Sequence, residues 1–463
     1  MTFFRRLLSL FIVIISLLTL SSCSFRFSSF DNLLRPPKLI GKYQGLQDSF
    51  ESAVKDKFQL LIPENGEFQS SFVPFDIDSD NNEEALVFYT LKDSPDIAKV
   101  SYFEFKNDKW IYVSDFDGLG NTIDKVVIED INKDGFFEIV IGWNLYSSKM
   151  NRAFVAYTVN NDNIVQSFTH PYTYFDMADV NGDGYNDLIS LYVDSSIPEN
   201  LKSVADVYNF NALTSQFSLM GETYLDGNIS SYSSIRTESV NDNVFVYVES
   251  KKGQNESITE VLVWDNEKNV LTAPLLDLAS QTTFLTWRNV NLTVFDIDHD
   301  NYLEIPTSVE MPGSVVTSSD ILNNNNVTSD NKPATQLYFT KWTKFRNNKL
   351  KPVQYSIINN DLGYMLNIKS SWVGRITVLG NDGQWDYYRW DGQNAKVGEL
   401  LFSIYAYDNN NNELKKQYSG YTQLKSTSSK TFVCQITKQG YSFGVDEKLL
   451  TDNLILTDFG GAK

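Results

Sequence analysis

An acidic nine-residue pattern, Asp-x-(Asp/Asn)-x-Asp-(Gly/Asn)-x-x-(Asp/Glu), begins at Asp76, Asp130, Asp179 and Asp296, and each copy runs into an apolar, strand-like stretch. Recurrence at this spacing constrains the fold more tightly than composition does. Each copy marks one supersecondary unit, and stacked units of about 50 residues with several strands each have the spacing of propeller blades. An aromatic strand followed by an Asn/Asp/Lys turn forms a second, independent landmark. It ends at Phe105, Val159, Phe210, Trp264 and Phe345. Phe105 trails Asp76 by 29 positions, Val159 trails Asp130 by 29 and Phe210 trails Asp179 by 31.

From Asp179 to Asp296 the chain runs 117 residues, roughly two periods, which predicts a unit whose acidic loop has decayed. Its aromatic turn survives at Asp265, but Glu238-Ser239-Val240-Asn241-Asp242-Asn243 stands where the loop should be, so this unit is expected to hold no metal. The fifth unit carries a polar insertion from about Thr307 to Gln336, read as an exposed loop.

Carboxylates at positions 1, 3 and 5 of a tight loop, with a closing acid at position 9, can converge on one cation. Calcium takes six to eight oxygen ligands at roughly 2.3–2.6 Å. The predicted ligand sets are Asp76, Asp78, Asp80 and Glu84; Asp130, Asn132, Asp134 and Glu138; Asp179, Asn181, Asp183 and Asp187; and Asp296, Asp298, Asp300 and Glu304. Gly135 and Gly184 at position 6, with Asn81 and Asn301 as their counterparts, suit the left-handed backbone of a sharp turn. An EF-hand is excluded because its closing Glu lies at position 12 between helices, whereas here the acid at position 9 opens β-branched and aromatic runs such as Ala85–Tyr89.

The net charge of −19 argues against nucleic acid or an anionic lipid surface as the main partner, since both reward clustered Lys and Arg. Much of that acidity sits in the loops. Arg5 and Arg6 followed by the apolar Leu7–Leu20 form a signal peptide, too short for a comfortable membrane span, with small residues before a cleavage point. Leu20-Ser21-Ser22-Cys23 resembles the bacterial lipobox, which implies cleavage before Cys23 and lipid (palmitate-type acylation) on its sulfur. The other of the two cysteines, Cys434, lies in an alternating strand-like run and is expected to be a packed thiol, so disulfides do not hold the domain together.

The loops and their spacing resemble the FG-GAP or VCBS-like repeats of integrin-type propellers, over roughly residues 66–357. That resemblance implies a calcium-stabilised β-propeller, with Ca2+ along one face, used for binding or adhesion. The expected fold is mainly β: a propeller of about five to seven blades with a small C-terminal α+β domain. In chain order the parts are a lipoprotein signal peptide (1–22), a tether (23–38), an N-terminal helical segment (39–65) with Phe50, Val54, Phe58 and Leu61 at helical spacing, the repeats (66–357), and the C-terminal domain (358–463). Some C-terminal strands could instead complete the propeller. Val445–Leu456 is read as a short helix.

Catalytic signatures are missing from the sequence. Two histidines, His170 and His299, cannot make a multi-histidine zinc site in one chain, and no nucleophile elbow, phosphate loop or zinc helix occurs. Trp110, Trp143, Trp264, Trp342 and Trp372 are assigned to core packing rather than sugar stacking. The expected function is that of an outward-facing, membrane-anchored, non-catalytic binding or scaffold module for a protein or glycan. The other reading is a carbohydrate-active enzyme of the polysaccharide-lyase type.

Overall fold

A computed structural model describes residues 42–456 except 146–151, 161–162, 195–201, 212, 215, 242, 317–335 and 382. The signal peptide, Cys23 and the tether lie outside the described residues. The chain opens with helix α1 (Lys42–Ala53), whose Leu46 and Phe50, four positions apart, are fully buried. Burying each such side chain stabilises by roughly 1.5–3 kcal/mol. The helix is shorter than its apolar spacing suggested. Phe58 belongs to strand β1 (Phe58–Leu60), which pairs antiparallel with Tyr89–Leu91, so its partner strand sets its conformation.

The remaining chain is mainly β, in successive, mostly antiparallel sheets of four to six strands. The first sheet contains β1, β2 (Phe72–Phe75), β3 (Glu84–Leu91), β4 (Ser94–Lys106) and β5 (Lys109–Asp117). The second runs β6 (Thr122–Glu129), β7 (Glu138–Asn144), β8 (Arg152–Asn160), β9 (Asn163–Tyr172). The third runs β10 (Tyr174–Ala178), β11 (Asp187–Asp194), β12 (Lys202–Asn211), β13 (Gln216–Leu225), and the fourth β14 (Ser231–Val240), β15 (Asn243–Lys251), β16 (Ser257–Asp265), β17 (Val270–Thr272).

In the first three sheets the acidic loop joins β2 to β3, β6 to β7 and β10 to β11, and in the first four the aromatic landmark turn joins the last two strands. At Asn107-Asp108 and Asn347-Asn348 both central residues have positive φ, the backbone that matches the twist of a two-residue hairpin. In the fourth sheet no acidic loop intervenes. There β14 and β15 pair up to Val240–Asn243, the short turn expected for the decayed unit.

β3, β7, β11 and β15 are each buried on both faces, which explains their nearly continuous apolar sequences. Along β3, Ala85, Val87 and Tyr89 pack toward α1 while Leu86 and Phe88 pack toward the second sheet. Val140 of β7 faces the third sheet, and Ile139, Ile141 and Trp143 face the first. Val244, Val246 and Val248 of β15 join the third-sheet core, and Phe245 and Tyr247 join a core with Ile305 and Phe345 further along the chain. The stack is therefore held by cores between consecutive sheets, with α1 covering the outer face of the first.

The C-terminal region combines both arrangements open at the sequence level. The fifth sheet runs β18 (Glu304–Glu310), β20 (Tyr338–Arg346), β21 (Lys349–Asn359), β22 (Tyr364–Ile368) and β28 (Leu454–Leu456), so late strands do extend a repeat unit. A sixth sheet contains β19 (Val315–Val316), β23 (Ile376–Asn381), β24 (Gln384–Asp391), β25 (Lys396–Asp408), β26 (Thr422–Ser426) and β27 (Lys430–Ile436). With helices α2 (Asn412–Gln417), α3 (Lys438–Phe443) and α4 (Glu447–Asn453), it forms the α+β portion. Val445–Leu456 is thus a seven-residue helix followed by a strand rather than one helix. Part of the expected insertion loop, Val315–Val316, pairs in parallel with β23. Cys434 is buried in the core between the fifth and sixth sheets, and burial pushes its thiol up to about 12, consistent with an inert packed cysteine.

Among the described residues one ion pair is fully buried. The Arg288 guanidinium pairs with Glu249 of β15 and donates to the Leu292 carbonyl at 2.7 Å and Thr259 Oγ1 at 3.0 Å. Glu249 also accepts the Val294 backbone N–H at 2.7 Å, so the pair fastens the irregular segment before the fifth sheet onto the fourth. Removing one partner of a buried pair leaves an uncompensated charge. Arg288→Met is expected to lower stability by about 3–5 kcal/mol in urea unfolding, whereas a change within about 0.5 kcal/mol would place the pair among ordinary surface interactions.

Candidate metal centre

The four acidic loops share one hydrogen-bonding scheme, which the third varies by turning the position-4 amide rather than the position-5 amide onto its first acid. At the first, Asp76 Oδ1 accepts the Asp80 N–H at 3.1 Å and Oδ2 accepts the Asn81 N–H at 3.0 Å, while Asp80 Oδ1 accepts the Asn82 N–H at 2.7 Å. Asp130 takes the Asp134 and Gly135 amides at 3.0 Å each, and Asp134 takes Phe136 at 2.8 Å. Asp179 takes Gly182 and Gly184, and Asp183 takes Tyr185. Asp296 takes Asp300 and Asn301, and Asp300 takes Tyr302. At position 3, Asp78, Asn132 and Asn181 accept the amide of position 5. These bonds curl the backbone around its own carboxylates.

Position 6 has positive φ in every loop, as its Gly and Asn residues require: Asn81, Gly135, Gly184 and Asn301. Position 4 does too, at Ser79, Lys133, Gly182 and His299, which the sequence pattern left unmarked. His299 is exposed there. His170 instead stacks on Phe168 beside Phe154 and Tyr208, with Nε2 3.7 Å from Asp206, a packing position. Trp110, Trp143, Trp342 and Trp372 are buried, and Trp264 is half-buried against the core of the third and fourth sheets.

The closing acid sits lowest in the loop, at the first residue of the following strand. Glu84, Glu138, Asp187 and Glu304 are all buried and accept the amide of position 2: Ile77 at 2.8 Å, Ile131 at 3.1 Å, Val180 at 3.1 Å and Ile297 at 2.9 Å. Those position-2 side chains are themselves buried apolar residues. A pattern written with a free second position missed this anchor, although Ile, Ile, Val and Ile stand there in the sequence.

Oxygens of Asp76, Asp78 and Glu84 lie within 4.8 Å of one another, as do those of Asp296, Asp298 and Asp300. The second and third loops carry Asn132 and Asn181 at position 3, so each has three carboxylates and one amide oxygen. Oxygen-only donors with several carboxylates suit a hard cation.

The first three loops are contiguous. Phe137 of the second donates its amide to the Ile77 carbonyl of the first at 2.8 Å, and Ser79 Oγ bonds the Gly135 carbonyl at 3.1 Å. Asn186 of the third reaches Glu129 beside the second. At the fourth loop the Leu303 amide meets Glu238 Oε1 at 2.6 Å, and the Glu238 carboxylate pairs with Arg346 at 2.9 Å. Glu238, in the unit without an acidic loop, is therefore a buried partner of its neighbour.

Across the sheet from each closing acid stands a different residue. Glu304 faces Lys344, and Glu84 faces Glu104, which pairs with Lys106. With Ile139 opposite Tyr157 and Leu188 opposite Tyr208, Thr158 stands beside Glu138 and Asn209 beside Asp187. Register joins these residues, and the acidic pattern gave no sign of them.

Burial, with a smaller contribution from neighbouring aspartates, pushes all four closing acids up to about 7, against the opposing pull of the position-2 amide. Because the folded state binds these protons more tightly than the unfolded chain, stability without metal declines as pH rises from about 4.5 through 7. In EDTA the melting temperature is expected to fall between pH 5 and pH 7.5. A melting temperature that rises over that interval would show that the closing acids are ionised in the fold.

No protein-family model and no curated protein matches the chain. Among solved structures it is similar to a hypothetical selenium-binding protein from Sulfolobus tokodaii, at 9% identity over 45% of this chain and 54% of that one, with a TM-score of 0.30. The chain thus spans about half the length of that protein. It is also similar to Saccharomyces cerevisiae Sqt1, at 10% identity over 82% of this chain and 98% of the other, with a TM-score of 0.28. Scores this low carry no functional inference.

Proposed function

We propose that this chain is a calcium-stabilised, non-catalytic binding or scaffold lipoprotein of the FG-GAP/VCBS-like kind, displayed outside the cytoplasmic membrane. The observation that carries the metal reading is the shared geometry of the four loops. Each curls its backbone amides onto the acids at positions 1 and 5 and buries a closing carboxylate at its base. A buried carboxylate ringed by further acids is costly unless a cation accompanies it. Calcium fits because all donors are oxygens and the loops are lined by carboxylates.

The propeller reading draws on the repeating sheet order and on the face-to-face cores, with the consecutive sheets as blades. Contiguous loops along one edge leave the remaining edges and strand-connecting turns as recognition surface for a protein or glycan. No constellation of nucleophile, base and oxyanion donors among the described residues favours an enzyme. Export and anchoring draw on the signal segment and Cys23, which lie outside the described residues.

Calcium is expected to raise the melting temperature at pH 7.5 and EDTA to reverse it. At a hundredfold excess over Kd each site contributes about 2.7 kcal/mol. Asp183→Ala should remove one ion from a calorimetric titration and leave the other sites titrating, whereas an unchanged stoichiometry would remove the third loop from the set. Cys23→Ser should move the expressed protein from the membrane fraction to the soluble one; retention in the membrane would count against lipid anchoring.

A further inference from the structure

We propose that the fourth loop is closed by the side chain of Lys344 in place of a metal ion, so that the chain takes calcium in three loops and a tethered ammonium in the fourth. This rests on the cation reading of the loops given above, and departs from it in treating the four as unequal.

Lys344 lies on β20 directly across from Glu304, and its Nζ reaches into the loop. It is 3.1 Å from Asp298 Oδ2 and 3.3 Å from Glu304 Oε1, and it bonds Asp300. Those acids hold positions 3, 9 and 5, so one ammonium engages three of the four groups that would ligate a metal. The side chain is only 15% exposed, and the ring of Tyr302 lies 5.7 Å from Nζ, with the Arg346 guanidinium 4.8 Å from that same ring. Nζ donates hydrogen bonds to Asp298 and Asp300, while Glu304 Oε1 stands at ion-pair distance from it without a hydrogen bond. A divalent cation sharing those oxygens would lie within contact distance of the ammonium and be repelled.

The loop's composition fits this closure. The second and third loops have three carboxylates each, whereas the fourth has an additional acid at position 3, Asp298, which Lys344 engages. Opposite their closing acids the second and third loops have neutral Thr158 and Asn209. The first loop also has four carboxylates, but the residue across from Glu84 is Glu104, and Lys106 pairs with that acid.

Full-length protein in detergent, dialysed against calcium and assayed by atomic emission, should contain three ions per chain. Lys344→Thr, carrying the residue that faces the second loop, should contain four. Four ions in the wild-type protein, falling to three in Asp300→Asn, would overturn the proposal, as would three ions in both wild type and Lys344→Thr. Absence of calcium from both proteins would overturn the cation reading of the loops, and a cycle in EDTA then still decides the role of Lys344. There Lys344→Met and Asp300→Asn should each lower the melting temperature, and the double variant should fall by less than the sum of the two shifts. Additive shifts would overturn the contact itself.

Discussion

A carboxylate buried at the base of a loop has to be neutralised, and much of the rim of this protein follows from how that is done. Glu84, Glu138, Asp187 and Glu304 occupy one structural position, each held by the amide of a residue whose side chain is in the core. The anchor fixes the loop to the sheet and takes the acid out of water. A proton, a metal ion or a neighbouring side-chain cation can each balance the charge. The fourth sheet has a different arrangement: its loop is gone, and buried Glu238 is matched by Arg346 from the next unit.

The stack beneath the rim depends on strands that are apolar on both faces. Because β3, β7, β11 and β15 each serve two cores, no single sheet can bury its own hydrophobic residues without a neighbour. Among the described residues no sheet precedes the first, and α1 covers its outer face with Leu46 and Phe50. Between the fourth and fifth sheets the chain departs from regular pairing. There the Glu249–Arg288 pair holds an irregular segment where β17 is only three residues long. A charged contact at that point fixes geometry more than it adds stability, since a buried pair gains little over well-packed apolar groups.

The sequence exposed those features whose cause is local. Alternating acids, positive-φ residues at position 6 and aromatic hairpin turns can be read within a dozen residues, and the shortened segment at Glu238–Asn243 did become a tight hairpin. Features set by pairing were hidden. Phe58 has helical spacing but joins a strand because β3 extends beyond β2 and offers it an edge. Leu454–Leu456 looked like the end of a helix and instead completes the fifth sheet, some 90 residues after β22 in sequence, through pairs such as Leu366 with Leu454. Lys344 is 40 positions from Glu304, and only the register of β18 against β20 brings them together. The apolar second position of each loop was visible but uninterpreted, because its role becomes clear only once the closing acid is seen to bond that residue's amide.

Contacts between loops also mean that they do not act independently. The Phe137 amide that bonds the Ile77 carbonyl belongs to the residue just before Glu138, and Ile77 is the residue whose own amide holds Glu84. A single peptide unit thus separates the closing acid of the second loop from the anchor of the first. Ordering one loop around a cation restrains the backbone on which its neighbour's closing acid is mounted, so part of the ordering cost of the second is already met. The fourth loop adjoins, through Leu303 and Glu238, a unit without an acidic loop and has no such neighbour among the described residues. A side-chain cation built into that loop, already ordered with the sheet, suits the position that gains least from the others.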